Sequence, residues 1–200
     1  MSTLSIILPT HNEVKSLGHV IESWNNYLVK KSIKHEFVVC EDGSTDGTKE
    51  LIILLSKKYP IKNESSIDRR GYGGGVLSGI KASKYKYLLC IDSDGQCMPD
   101  SFDIFWKNKE TSDISIGIRD PRMDPIIRKV YSFLFFILHR FLFISNIKDP
   151  SCPYILAKKE VYLKLVPYCS YMVEGFWWGY IGAALKLRMS ISQYSIKHFL

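Results

Sequence analysis

Residues 87–100, YLLCIDSDGQCMPD, pass from an apolar run, Tyr87–Ile91, straight into Asp92, Ser93 and Asp94. A short apolar run bounded by turn residues reads as a buried strand. The carboxylates at its exit then need a reason. A solvated acidic turn would look the same in isolation, because Asp, Ser and Gly are what turns use. The rest of the chain has to decide.

Outward from this strand the chain alternates. LSIIL (4–8) reads as a first strand, and NEVKSLGHVIESWNNYL (12–28) places Val14, Leu17, Val20, Ile21, Trp24 and Leu28 at helical spacing. EFVVC (36–40) is a second strand, and TDGTKELIILLSKK (45–58) a helix capped by Thr45 or Asp46. After the strand at YLLCI, PDSFDIFWKN (99–108) reads as helix and DISIGI (113–118) as a fourth strand. Strands interleaved with helices imply right-handed crossovers and a mostly parallel sheet, so the expected class is α/β, Rossmann-like, with flanking helices. No repeat, linker or low-complexity tract divides residues 1–200, which read as a single domain.

Ligands of such sheets bind beyond the carboxyl ends of the strands. Here those ends run into PTHNE, EDGSTDGT, DSDGQ and RD, so four polar exits share one edge. Asp92 and Asp94 are therefore candidates for a hard cation, Mg²⁺ or Mn²⁺, of the kind that shares substrate phosphate oxygens. Without a cation, two close carboxylates would repel and one would take up a proton. The glycine-rich RRGYGGGVLSGI (69–80) fits neither G-x-x-x-x-G-K-[ST] nor G-x-G-x-x-G, which disfavours a phosphate-loop kinase or a dinucleotide enzyme. It reads either as a surface loop or as amides at Gly71 and Gly73 which, beside Arg69 and Arg70, suit an anion.

Composition narrows the partners. Hydrophobic residues at 46% and charged residues at 24% are globular usage and exclude a disordered or fibrous chain. The 27 Lys+Arg against 20 Asp+Glu, a net +7, suggest an anionic partner. The charge is scattered, and the aromatics concentrate in one apolar segment instead of alternating with basic residues, so a nucleic-acid platform is not expected. Five cysteines at no metal-ligand spacing are expected to be reduced thiols of a cytoplasmic chain. MSTLSIILPTHNE reads as a strand and not as a signal peptide. VYSFLFFILHRFLFISNI (130–147) anchors an aromatic-rich helix expected at about 125–147. His139 and Arg140 interrupt it, and Arg128, Lys129 and Lys148 flank it, leaving too little for a bilayer crossing of about 20 residues. It is either a core helix or one lying in a membrane surface.

Taken together, SIILPTHNE, VVCEDGSTDGT, RRGYGGGVLSGI, LCIDSDGQCMPD and IGIRDP resemble, in order and spacing, the family 2 glycosyltransferases. The chain looks most like the dolichol-phosphate mannosyltransferase-like branch, which moves a sugar from a nucleotide to a polyprenyl phosphate. The resemblance implies a nucleotide-diphospho-sugar transferase fold. It further implies a nucleotide site at Pro9, Thr10, Asn12, Glu13, Gly71, Gly73 and Asp92, with Asp42 reading the base. Asp92, Asp94 and Gln96 would hold the metal, Asp94 and Arg119 would be catalytic, and Arg119, Arg128 and Asp149 would face the acceptor phosphate.

Several positions depart from the family pattern. Glu41 stands for an aspartate, His11 for a tyrosine, and Pro153 for a glycine. Gln193 and Ser195 replace an acid and a proline ahead of His198, and Glu174 is the nearest acid where some relatives carry a functional carboxylate. Relatives continue to an arginine beyond Leu200, so either the chain is cut or one phosphate clamp is missing.

The chemistry implied is an inverting in-line displacement at the anomeric carbon. A phosphate monoester, with a second ionisation at about pH 6, is already a nucleophile, whereas an alcohol acceptor would need a base. A lipid phosphate would put the enzyme on the cytosolic face of a membrane as a peripheral protein. Two alternatives stand beside this: a soluble or polymeric glycan acceptor, and a non-catalytic nucleotide-binding relative.

Overall fold

Every residue of the first strand beyond Thr3 is buried, as expected of a strand covered on both faces. The computed structural model describes residues 2–120, 126–143 and 145–198. In chain order the elements are β1 (Thr3–Thr10), α1 (Leu17–Lys30), β2 (Lys34–Glu41), α2 (Thr48–Ser56), β3 (Ile61–Asn63), α3 (Gly71–Ala82), β4 (Tyr87–Cys90) and α4 (Phe102–Lys107). They continue with β5 (Ile114–Arg119), α5 (Ile126–Phe143), β6 (Ile155–Lys158), α6 (Lys159–Cys169), α7 (Phe176–Lys186) and β7 (Ile191–Ile196).

The strands form one seven-stranded sheet in the order β3-β2-β1-β4-β6-β5-β7. β3, β2, β1 and β4 are mutually parallel, and β7 runs parallel to β5. β6 is antiparallel to both its neighbours. The mostly parallel α/β sheet read from the alternation is therefore present, with one reversed strand inserted between β4 and β5.

Each face of the sheet has its own core. Leu4, Ile6 and Leu8 of β1 pack with Leu17, Val20, Ile21, Trp24 and Leu28 of α1 and with Phe102 and Phe105 of α4. On the other face Ile7, Val38 and Leu88 meet Val76 and Ile80 of α3, Tyr162 and Leu165 of α6, and Tyr180 and Ile181 of α7.

The glycine-rich stretch is helix α3 and not a surface loop. A Cβ at Gly79 would stand inside contact distance of Ile7 Cγ2 and 2.7 Å from Cys40 Sγ, so glycine is what lets α3 lie this close to the sheet. The aromatic helix ends at Phe143 instead of reaching 147, and Ile147 joins the core around α6 and α7. α1 starts at Leu17 and not at 12, because Asn12 takes a left-handed backbone, φ 58°, that ends β1 in a turn. α2 starts at Thr48 with Gly47, in a left-handed backbone at φ 99°, at its N-cap, so neither Thr45 nor Asp46 is the cap. From the residue before Gly47, Asp46 Oδ1 accepts from the Thr48 amide at 3.1 Å. The five cysteines are free and buried.

Candidate functional site

The exits of β1, β2 and β4 meet the start of α3 around one cavity, lined by Pro9, Thr10, His11 and Glu13, by Asp42, by Arg69, Gly71 and Tyr72, and by Asp92, Ser93, Asp94 and Glu174. The loops are tied to one another before any ligand is considered. Ser93 Oγ donates to the Pro9 carbonyl at 2.8 Å, fixing the β4 exit against the β1 exit. Asn12 accepts from the Thr45 amide at 2.9 Å, and its own amide donates to Ser44 Oγ at 3.0 Å. The Glu13 amide donates to Thr48 Oγ1 at 2.9 Å. Asn12, expected at the nucleotide, staples the β1 and β2 loops together between His11 and Glu13, which line the cavity.

Asp42 is nearly buried, and both of its oxygens are occupied. Oδ1 accepts from the Arg70 amide at 2.7 Å and Oδ2 from the Gly71 amide at 2.9 Å, while Arg70 Nε approaches Oδ1 at 3.4 Å. A carboxylate on the first free amides of a helix satisfies donors that the helix cannot. Arg70 is held further by the carbonyls of Glu41 and Glu64, both at 3.1 Å. The amides expected to bind an anion are thus already taken: Gly71 by Asp42, and Gly73 by the Val173 carbonyl at 2.9 Å, with Gly73 outside the lining. The exposed cation that does line the cavity is Arg69.

Asp92 is half-buried and Asp94 exposed at the β4 exit. Burial, with the charge of Asp94 adding to it, pushes the Asp92 carboxyl up to about 6 against the opposing hydrogen bond from Tyr72. Tyr72 Oη donates to Asp92 Oδ1 at 2.7 Å and accepts from Trp177 Nε1 at 2.8 Å. Asp94 Oδ1 accepts from the Gln96 amide at 2.9 Å, which turns the loop; the Gln96 side chain is not part of the lining.

A second cavity adjoins the first through Tyr72 and Asp92. It is walled by Arg119, Ser151, Pro153, Gly175, Phe176, Trp177 and Trp178. Arg119, at the end of β5, meets Asp149 through Nε at 2.7 Å and a terminal nitrogen at 2.8 Å, and that nitrogen also reaches Ser151 Oγ at 3.0 Å. Asp149 therefore orients Arg119 and does not line the cavity itself. Arg128 lies on α5, and its side chain falls outside the described part of the structure. Gln193, where relatives carry an acid, is tied to the Lys148 amide at 2.8 Å and the Asn146 carbonyl at 3.1 Å. His198 is buried just beyond β7.

Sequence reasoning missed Tyr72 and Trp177. Tyr72 sat within a stretch read for its glycines, and Trp177 is 105 residues away with no local signal to pair them.

Superposition on solved structures gives the fold as that of the nucleotide-diphospho-sugar transferases. Among solved structures, glucosyl-3-phosphoglycerate synthase from Mycobacterium tuberculosis with phosphoglyceric acid superposes with a TM-score of 0.75, at 19% identity, over 100% of this chain and 72% of that one. S. aureus TarS 1-349 in complex with UDP-GlcNAc does so with a TM-score of 0.67, at 19% identity, over 98% of this chain and 57% of that one. The chain belongs to glycosyl transferase family 2, whose profile matches residues 5–166. Curated relatives include a dolichyl-phosphate beta-glucosyltransferase of Dictyostelium discoideum, 30% identical over 82% of this chain and 56% of its own length. A dolichol-phosphate mannosyltransferase of Pyrococcus furiosus is 30% identical over 79% of this chain and 47% of its own. The chain thus spans about half the length of these relatives.

Proposed function

We propose that this chain carries the catalytic domain of a transferase that moves a sugar from a nucleoside-diphosphate sugar to a polyprenyl phosphate at the cytosolic surface of a membrane. The observation that carries the reading is the pair Asp92 and Asp94, set at the β4 exit in a cavity framed by the β1 and β2 loops and opening past Tyr72 toward Arg119. The family and the dolichyl-phosphate relatives support the donor and acceptor classes.

A divalent cation fits this donor set. Asp92 is a carboxyl that burial and Asp94 disfavour as an anion, and a cation beside both would relieve that cost. Among the described residues no group of three or more His, Cys, Asp or Glu side chains forms a self-sufficient metal site. That suits Mg²⁺ or Mn²⁺, which take one or two carboxylates and complete their shell with phosphate oxygens and water. Asp92 and Asp94 would hold the ion, and it would supply charge neutralisation for the departing diphosphate.

The remaining work falls to the chain. Pro9, Thr10, His11 and Glu13 form one wall of the nucleotide cavity, while Asp42 keeps the start of α3 in place behind it. Arg69 contributes positive charge toward a diphosphate. Arg119, held in one orientation by Asp149, lines the second cavity, where it would position the incoming phosphate dianion for in-line attack with inversion.

Helix α5 supports the membrane part of the reading. Among the described residues no helix is long and apolar enough to cross a membrane. Yet Leu134, Ile137, Leu138, Phe141 and Leu142 are exposed on one face of α5, Phe141 by 82%, in a protein of net charge +7. An exposed apolar helical face on a protein of positive net charge suits peripheral attachment to anionic lipid.

One observation favours a second reading. Glu174 is exposed and lines the same cavity as Asp94, where it would serve as a base for a glycan hydroxyl. Glu174→Gln should leave transfer to a polyprenyl phosphate within about threefold, and should lower transfer to a hydroxyl acceptor by roughly 10²-fold or more.

The first test is thermal stabilisation by UDP-, GDP-, CMP- and dTDP-sugars, each with and without Mn²⁺. A shift for one nucleotide class that requires Mn²⁺ and disappears in Asp94→Ala is expected. Full stabilisation and turnover by Asp94→Ala would remove Asp94 from the site.

A further inference from the structure

The hydrogen-bond chain from Trp177 through Tyr72 to Asp92 has a direction fixed by chemistry. An indole nitrogen only donates, so at 2.8 Å the Trp177 Nε1–H must give its proton to Tyr72 Oη. A tyrosine hydroxyl has one proton of its own, which is then committed to Asp92 Oδ1 at 2.7 Å. Trp177 cannot readily let go, since it is 4% exposed and packs edge-on against Phe176 at 5.0 Å and Tyr180 at 5.7 Å. Tyr72 in turn stands on α3, whose start is fastened to the β2 exit through Asp42.

The result is that one oxygen of Asp92 is claimed by a rigid donor belonging to neither β4 nor its loop. Partners of this kind set which oxygen a carboxylate presents and in what orientation, and their loss typically lowers metal affinity by about 10- to 100-fold.

We propose that Tyr72, held by Trp177, is a positioning residue that presents Asp92 to a divalent cation, and that it ties the nucleotide cavity to the aromatic cavity beside it. The proposal rests on the reading of Asp92 as a metal ligand.

The experiment is a Mn²⁺ titration followed by electron paramagnetic resonance, with saturating nucleoside diphosphate, on the full chain and on Tyr72→Phe, Trp177→Phe and Asp94→Ala. The nucleoside diphosphate is the one found by thermal stabilisation. Tyr72→Phe keeps the ring and removes only the hydroxyl; it should weaken Mn²⁺ by about 10- to 100-fold. Because the variant leaves the buried Trp177 Nε1–H without its acceptor, the thermal midpoint should fall by a few degrees. Metal-free nucleotide affinity, measured in EDTA, should fall by far less than Mn²⁺ affinity, a split that a merely structural role for the hydroxyl would not predict. Trp177→Phe, which leaves the hydroxyl but frees it, should weaken Mn²⁺ by a smaller factor, and it carries the comparison should Tyr72→Phe fail to fold. Mn²⁺ affinity in Tyr72→Phe within twofold of the parent would overturn the role of Tyr72 while leaving Asp92 and Asp94 as ligands. No Mn²⁺ binding by the parent would overturn the metal reading itself, and the proposal with it.

Discussion

Arg119 and Asp149 are 13% and 7% exposed, and their contact is bidentate. Two charges taken this far from water are tolerable only as a complete pair, and deleting one partner leaves the other stranded at a cost of about 3–5 kcal/mol. Asp149→Ala should therefore lower the unfolding free energy by about 3 kcal/mol in urea, and Arg119→Ala combined with it should cost less than the sum of the single changes. This pairing explains why the residues expected at an acceptor phosphate were only partly legible. An arginine at a strand end is readable, but whether it faces a ligand or an aspartate 30 residues away is decided by the fold. Asp42 makes the same point, because its carboxylate holds the Arg70 and Gly71 amides, a role its sequence neighbourhood did not show.

Glu110 is a residue whose pH signature can be isolated. The hydrogen bond from Lys158, and then that from Tyr87, hold its carboxyl down from 4.5 to about 2. A carboxyl depressed in the folded chain adds stability above its unfolded value and loses it as pH falls toward the folded one. The stability gap between the parent and Glu110→Gln should thus be constant above pH 5 and close between about pH 4.5 and 2. Because the side chain is 53% exposed, the gap should be small and shrink with salt.

Among the elements, α3 and α5 repay comparison. Four of the first five residues of α3 are glycine, which intrinsic propensity would never make a helix. Tertiary packing overrides that preference, because the sheet sits where side chains would otherwise go. Gly79→Ala should overpack the contact with Ile7 and Cys40, destabilising the fold by about 1–3 kcal/mol in thermal or urea unfolding. Periodicity did reveal α1, with Leu17, Val20, Ile21, Trp24 and Leu28 all buried as their spacing required, while Val14, read as part of the same stripe, precedes the helix and is half-buried.

Helix α5 was legible as a helix but not as to its surroundings, since an apolar face reads the same against a core or a lipid. In the fold that face is exposed. Leu138→Glu with Phe141→Glu should therefore abolish binding to anionic vesicles in a flotation assay and leave the thermal midpoint within about 2 °C, as changes at exposed positions usually do.

For the molecule as a whole, the charge of +7 acts at long range. Vesicle binding should weaken steeply between 50 and 500 mM salt if charge brings the protein to the surface, whereas retention of full binding at 500 mM would assign the attachment to apolar contact alone. The architecture was legible at this scale because each strand exit read from the sequence carries polar residues, and exits of parallel strands fall on one edge. The reversed strand was not legible, since ILAK is four residues long and nothing in its composition fixes the direction in which it runs.

That reversed strand also shapes how the chain can assemble. β6 sits between β4 and β5, and Leu88 of β4 pairs with Ala157. During synthesis β3, β2, β1 and β4 emerge first, as a half-sheet whose β4 border stays unpaired until residues 155–158 have left the ribosome. Such non-local closure slows folding, and an open apolar border is where chains mispair with one another. Nascent chains halted before residue 155 should therefore be the ones that chaperones hold and that aggregate when released.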